Sequence, residues 1–274
     1  MSRSRILCIL AGFLLCTLSV PAGLEDGGPG VGFPVGETLD YSISWGVIPV
    51  GHSHVTSEWI SEDGRALIAI RLRTKSNNFL STLYPVDDSL EAIIDPETFL
   101  PVRFTKKLSE GRYRADETTT FDHKNLKAVW KSNRSGKVKE LTIDPDTRDV
   151  VTFMYYMRRN QFEPDTVNKY RVMADEKVYD LIIKAQKVET VKLDRFGKLP
   201  CLRFEPEAQF GGLFVRKGRM WMWVSQDERR IATKIAAQVP VASISLWLDQ
   251  VGGPGDDFWV SKGANGSVTN KVEK

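Results

Sequence analysis

The chain has 274 residues, with 38 basic against 35 acidic side chains and 42% hydrophobic content. That near-neutral balance excludes a general electrostatic binder of nucleic acid, and the length suffices for a sizeable core. Cys8 and Cys16 lie close to the N-terminus, so Cys201 alone remains for the rest of the chain and a disulfide-stapled scaffold is excluded there.

In chain order, residues 1–22 read as an export signal. Arg3 and Arg5 precede the apolar run Ile6 to Leu18, and Val20-Pro21-Ala22 supplies small or tolerated residues at the cleavage spacing. Removal near Ala22 takes away both arginines and leaves 36 basic against 35 acidic side chains. No later segment reaches the roughly 20 apolar residues of a membrane span, so no stable span is expected after cleavage. Lipid attachment at Cys16 would want a small residue before it, and Leu15 stands there. Residues 23–35 are rich in Gly and Pro and read as a flexible leader.

From Gly36 the pattern turns to period two, which buries one face of a strand and wets the other. Strands are expected at 41–47, 52–60 and 65–74, the first two joined by the turn signal Ile48-Pro49-Val50-Gly51. Further strands are expected at 89–94, 102–108, 113–121, 126–132 and 137–143. The later ones fall at 169–173, 177–193, 199–205, 214–224, 231–237 and 242–248. Residues 146–160 break the rule: Val150, Val151, Met154, Tyr155 and Arg158 recur at spacings of three and four, with Asp146 or Thr147 as the cap. A short second helix is open at 78–84. The tail 251–274 reads as disordered. The expected fold is mainly β, one domain over 36–250: a single large curved antiparallel sheet or half-barrel, with the helix on its concave face.

Candidate sites are sparse. His52 and His54 share a strand face and would chelate a metal only with a third ligand such as His123 or Asp122; a polar strand face is the simpler reading, and neither a metal nor another cofactor is expected. The pairs Asp87-Asp88 and Asp144-Pro145-Asp146 sit beside prolines, where turn and capping roles fit. Arg112, Arg114 and the Lys131–Lys139 stretch form a basic cluster with acidic neighbours, read as a solvated face. No nucleophile elbow, phosphate loop or dinucleotide fingerprint occurs. Aromatic and thioether side chains suggest more. Met220-Trp221-Met222-Trp223 puts two methionines on one face and two tryptophans on the other, and Met154 and Tyr155 lie on the helix. Lining a concave sheet, they would suit acyl chains or sugar rings. Trp45, Trp221, Trp223, Met154 and Tyr155 are the candidate contacts; an ordinary aromatic core is the alternative.

The segment Gly36-Glu37-x-Leu39-x-Tyr41-Ser42-Ile43-Ser44-Trp45-Gly46-x-Ile48-Pro49-Val50-Gly51 resembles the opening of a bacterial family of exported proteins known only as a domain of unknown function, DUF3108. Asp95-Pro96-x-Thr98-x-x-Pro101, Phe121-Asp122, Asp149 with Tyr155-Tyr156-x-Arg158, and Trp223-x-Ser225-x-Asp227 extend the resemblance to Leu248. It implies a periplasmic protein of the Gram-negative envelope and no established activity. Three functions stay open: a non-enzymatic carrier of an apolar or amphipathic lipid or glycan, an assembly partner of another envelope protein, or a hydrolase with an unrecognised site. None implies a nucleic-acid partner.

Overall fold

The computed structural model describes residues 31–207, 219–239 and 242–264. Residues 1–30, which include the expected signal, lie outside the described part. The alternating segments form one sheet of fifteen strands. The first half comprises β1 (Thr38–Trp45), β2 (Ile48–Glu62), β3 (Arg65–Ser76), β4 (Asp87–Ile94), β5 (Pro101–Glu110), β6 (Tyr113–Asp122), β7 (Lys127–Ser132) and β8 (Val138–Thr142). The second comprises β9 (Arg148–Asp149), β10 (Thr166–Ala174), β11 (Lys177–Leu193), β12 (Gly197–Glu207), β13 (Arg219–Ser225), β14 (Ala232–Val239) and β15 (Ala242–Gly252). Helices α1 (Asn78–Ser81), α2 (Val150–Arg159) and α3 (Phe258–Ala264) complete the elements.

Each half is a meander in which sequence neighbours pair, as short connections favour. Pairing of β1 with β15, Tyr41 opposite Leu248, joins the halves into one array that runs from β8 through β1 and β15 to β9. Every pair is antiparallel except β9 with β10. So wide a sheet must curl. Curling brings the β8 side back towards the β10–β11 turn, where Lys106 meets Asp175 and Lys137 and Lys139 meet Glu176. Trp130, Ala128 and Ile143 also pack with Met173 there. Mainly β, one open curved sheet with few helices, is thus the architecture.

Helix α2 sits inside the curve. Ten residues hold only marginally as an isolated helix, so packing must supply the stability. Val151 and Tyr155 join the large buried cluster that spans β1–β5 and reaches Leu248 on β15 and Trp259 on α3, and Phe153 and Met157 join that of β10–β13. Its N-cap is Asp149, which accepts from the amides of Val151 and Thr152 at 2.8 and 2.9 Å and from the Thr152 hydroxyl at 2.5 Å. The cap therefore lies three residues beyond the expected Asp146 and two beyond the expected Thr147; Thr147 instead accepts from the Asp144 amide at 2.9 Å and closes the preceding turn.

Two boundaries need correction. The leader was expected to be flexible to residue 35, but Val31 and Phe33 are buried, Phe33 against the Tyr155 ring at 4.6 Å. The tail was expected to be disordered from 251, but α3 buries Trp259, whose indole donates to Asp227 at 2.9 Å. In both segments a few apolar side chains find the core, and polar neighbours in sequence do not prevent it.

Candidate functional site

Between α2 and the sheet lies a cavity of about 300 Å³. The inward rows that line it follow from register. Tyr41 on β1 faces Ser53 on β2 and Leu248 on β15; Val55 faces Leu72 on β3. Phe204 on β12 faces Met222 on β13, which faces Ile235 on β14. Helix residues Val151, Met154, Tyr155 and Met157 close the other side. Branched, thioether and aromatic side chains dominate this lining, which suits an apolar guest. Asn160, Gln161, Gln226, Glu228 and Arg230 also contribute, giving the cavity a polar margin.

One buried ionic cluster fixes the helix beside the cavity. Glu37 is wholly buried and accepts two bonds from the Arg158 guanidinium, at 2.6 and 2.9 Å, and one from Arg229 at 3.2 Å. Arg158 Nε donates to the Arg229 carbonyl at 2.9 Å, and Arg229 continues to Asp257. Burial opposes the charge on Arg158; Glu37 outweighs it, so the guanidinium pKa ends above its ordinary value. Asp227 binds the amides of Arg229 and Arg230, at 2.9 and 3.1 Å, and holds the turn that presents Arg229. Glu37, Arg158 and Asp227 come from three of the segments that carry the family resemblance, and the fold gathers them at one end of the sheet.

The phenols of Tyr41 and Tyr155 are driven well above their usual range by burial, so both stay neutral. The Tyr155 hydroxyl is buried without a hydrogen-bond partner. Among the described residues it is one of two buried side-chain polar atoms in that state, and the Arg158 guanidinium lies over the Tyr155 ring at 5.1 Å. The lining therefore supplies apolar surface, soft sulfur and neutral phenols.

The candidate contacts divide. Met154 and Tyr155 line the cavity. Trp221 and Trp223 do not: the methionine face of β13 turns inward, with Met222 in the lining, and the tryptophans take the opposite face. There the Trp223 indole donates to Glu189 at 2.8 Å, Lys234 lies 4.5 Å from its ring, and Arg219 covers Trp221. Trp45 lies on the inward row of β1 beyond Tyr41, but in a second apolar groove of about 450 Å³, with Ile43, Val50, Leu80, Tyr84 and Ile244. His54 is engaged by Asp40 at 2.6 Å, while His123 stacks on Phe121 and bonds the Pro101 carbonyl, so the three histidines do not converge. Asp87 pairs with Arg73, and Asp88 accepts from the Ser109 amide. Cys201 is buried against Thr233, and burial pushes its thiol up.

Sequence reasoning missed the Glu37–Arg158–Arg229 cluster. The available signal was Arg158 itself, a charge on the apolar stripe of α2.

Comparison with known proteins agrees with this architecture. A crystal structure of a β-barrel-like protein of domain of unknown function DUF1849 from Brucella abortus superposes with a TM-score of 0.56 over 81% of this chain and 98% of that one. Identity is 12%, so the likeness speaks to the fold alone. Among curated proteins no match is found. The family model for the protein of unknown function DUF3108 matches residues 40–249, from within β1 to within β15 and including α2, and the chain belongs to that family.

Proposed function

We propose that this protein is an exported, periplasmic binding protein that carries an apolar or amphipathic ligand of the cell envelope. The carrying observation is the apolar cavity between α2 and the inner face of the sheet, with its polar margin. An acyl chain fits such a wall better than a glycan, because the tryptophans on which sugar rings would stack lie on the other face of β13. Native mass spectrometry of protein purified from its own envelope tests the reading. A retained lipid mass, released when an apolar fluorescent probe such as N-phenylnaphthylamine is added, is the expected result. Bare protein that also fails to enhance the probe's fluorescence would refute it.

Assembly with another envelope protein is supported by one feature, the free edge of β8, where Val138 is exposed. Under that reading, protein cross-linked in the envelope would carry a partner at β8.

A further inference from the structure

Several turns meet at the end of the sheet where β1 finishes, and they carry large apolar side chains into solvent. Val47 is 96% exposed at the β1–β2 turn; Phe79 and Leu83, on and just after α1, are 63% and 78% exposed. These are one surface, since Asn77 Nδ2 donates to the Pro49 carbonyl at 2.7 Å and ties α1 to the first hairpin. Trp45 and Tyr84, each about half exposed, stand in the second groove behind them. That groove continues the lumen. The inward row Tyr41, Ser53 and Leu246 of the first cavity passes into Ile43, Gly51 and Ile244 of the second, as strand alternation requires.

Beside the apolar tips is a basic flank. The β5–β6 turn abuts Tyr84, whose ring would lie 2.6 Å from a Cβ at Gly111. It carries Arg112, and Arg114 stands at the start of β6; Arg114 donates only to the carbonyls of Gly111 and Tyr113. The next turn, tied to β6 by the Asn133 amide on the Asp116 carbonyl at 2.7 Å, carries Arg134. Among the described residues no carboxylate pairs with Arg112, Arg114 or Arg134. The basic cluster seen in the sequence thus flanks an apolar tip.

We propose that this end is a docking surface for an anionic lipid bilayer. Separate apolar side chains on turn tips can each enter the acyl boundary, amphipathic aromatics such as Trp45 and Tyr84 favour the interface, and unpaired arginines complement acidic headgroups. A protein-binding core would instead be depleted of charge and flat enough to pack as a unit. The surface is argued from its own side chains and stands whether or not the first cavity holds cargo.

Vesicle flotation tests it, using phosphatidylethanolamine–phosphatidylglycerol vesicles beside phosphatidylcholine alone. The exported protein should float with the anionic vesicles, and Val47→Asp/Leu83→Asp should lower its partition at least about tenfold with an unchanged melting temperature. Arg112→Glu/Arg134→Glu should lose binding to the anionic vesicles only. Brominated acyl chains should quench the protein's fluorescence less in Trp45→Phe. Protein that stays in the aqueous fraction, or floats equally well with both tip aspartates, overturns the proposal, as does quenching unaffected by Trp45→Phe.

Discussion

Replacing Glu37 with glutamine removes one negative charge from a wholly buried site. Arg158 and Arg229 then keep their charges with both side chains only 7% exposed, and the remaining carboxylate, Asp257, is 41% exposed and reaches Arg229 alone. Breaking a buried pair by removing one partner costs about 3–5 kcal/mol, because the other charge is left uncompensated. Glutamine still offers one acceptor oxygen, so one of the two short bonds from Arg158 survives. Glu37→Gln should therefore fall at about 3–4 kcal/mol, a large part of the roughly 5–15 kcal/mol that holds a domain folded. Arg158→Met should cost less, since Glu37 keeps Arg229 at 3.2 Å, although the Arg229 carbonyl loses its donor. The double variant Glu37→Gln/Arg158→Met removes both charges and should recover about 1–3 kcal/mol of the summed loss. Urea unfolding followed by tryptophan fluorescence reads all three. A cost below about 1 kcal/mol for Glu37→Gln, or strict additivity in the cycle, would show that the carboxylate does not hold the arginines in place.

Other expectations follow from the same packing. Burial pushes the Asp149 carboxyl from 3.8 up to about 6 despite its three hydrogen bonds, so the folded state holds the proton more tightly than the unfolded one. Its contribution is fully present below 3.8, shrinks as pH rises, and is lost above about 6, up to about 3 kcal/mol; Asp149→Asn should flatten that part of the stability–pH curve measured by urea unfolding. Gly51→Ala should cost about 1–3 kcal/mol in the same assay, because its Cβ would stand 2.3 Å from the Lys75 carbonyl oxygen. Met157→Ala should cost about 2–5 kcal/mol, while Met154→Ala, at a partly exposed cavity wall, should cost less than half as much and change N-phenylnaphthylamine binding; equal costs would mean that the two face the same environment.

Period-two patterning was enough to place nearly every strand, because each buries one face and repeats the signal over five to seventeen residues. It was silent on which face. Met220 to Trp223 alternates two apolar types, so either set could turn inward; register against Phe204 and Ile235 decides for the methionines. Trp223 is then satisfied by Glu189 and Lys234, which belong to other strands and leave no local mark, while Arg219 on the same strand covers Trp221. Gly51 was legible as special, but for the wrong cause. Its backbone is not in the left-handed region, unlike Gly46 at φ +59°; it is small because β3 passes close by. That is a property of pairing, and the turn signal around it could not reveal it.

The ionic cluster shows why a helix inside a curved sheet leaves so faint a trace. Glu37 and Arg158 are 121 positions apart, and either alone reads as an ordinary surface charge. Their meeting depends on pairing β1 with β15, which places the first described strand beside the last and puts Glu37 next to the turn that bears Arg229. Only then does a carboxylate at the start of the domain face the C-terminal turn of α2, where a cation is already favoured by the helix dipole. The clip thus ties the entry of the first strand, the helix and the β13–β14 turn together at one end of the lumen. At the other end the apolar row runs out to the exposed turns around Trp45 and Tyr84. The exposed polar residues of the first cavity, Gln161 after α2 and Gln226 and Glu228 in the β13–β14 turn, stand at the clip end, so the clip holds the polar rim of the lumen in place while its apolar row runs on towards the second groove.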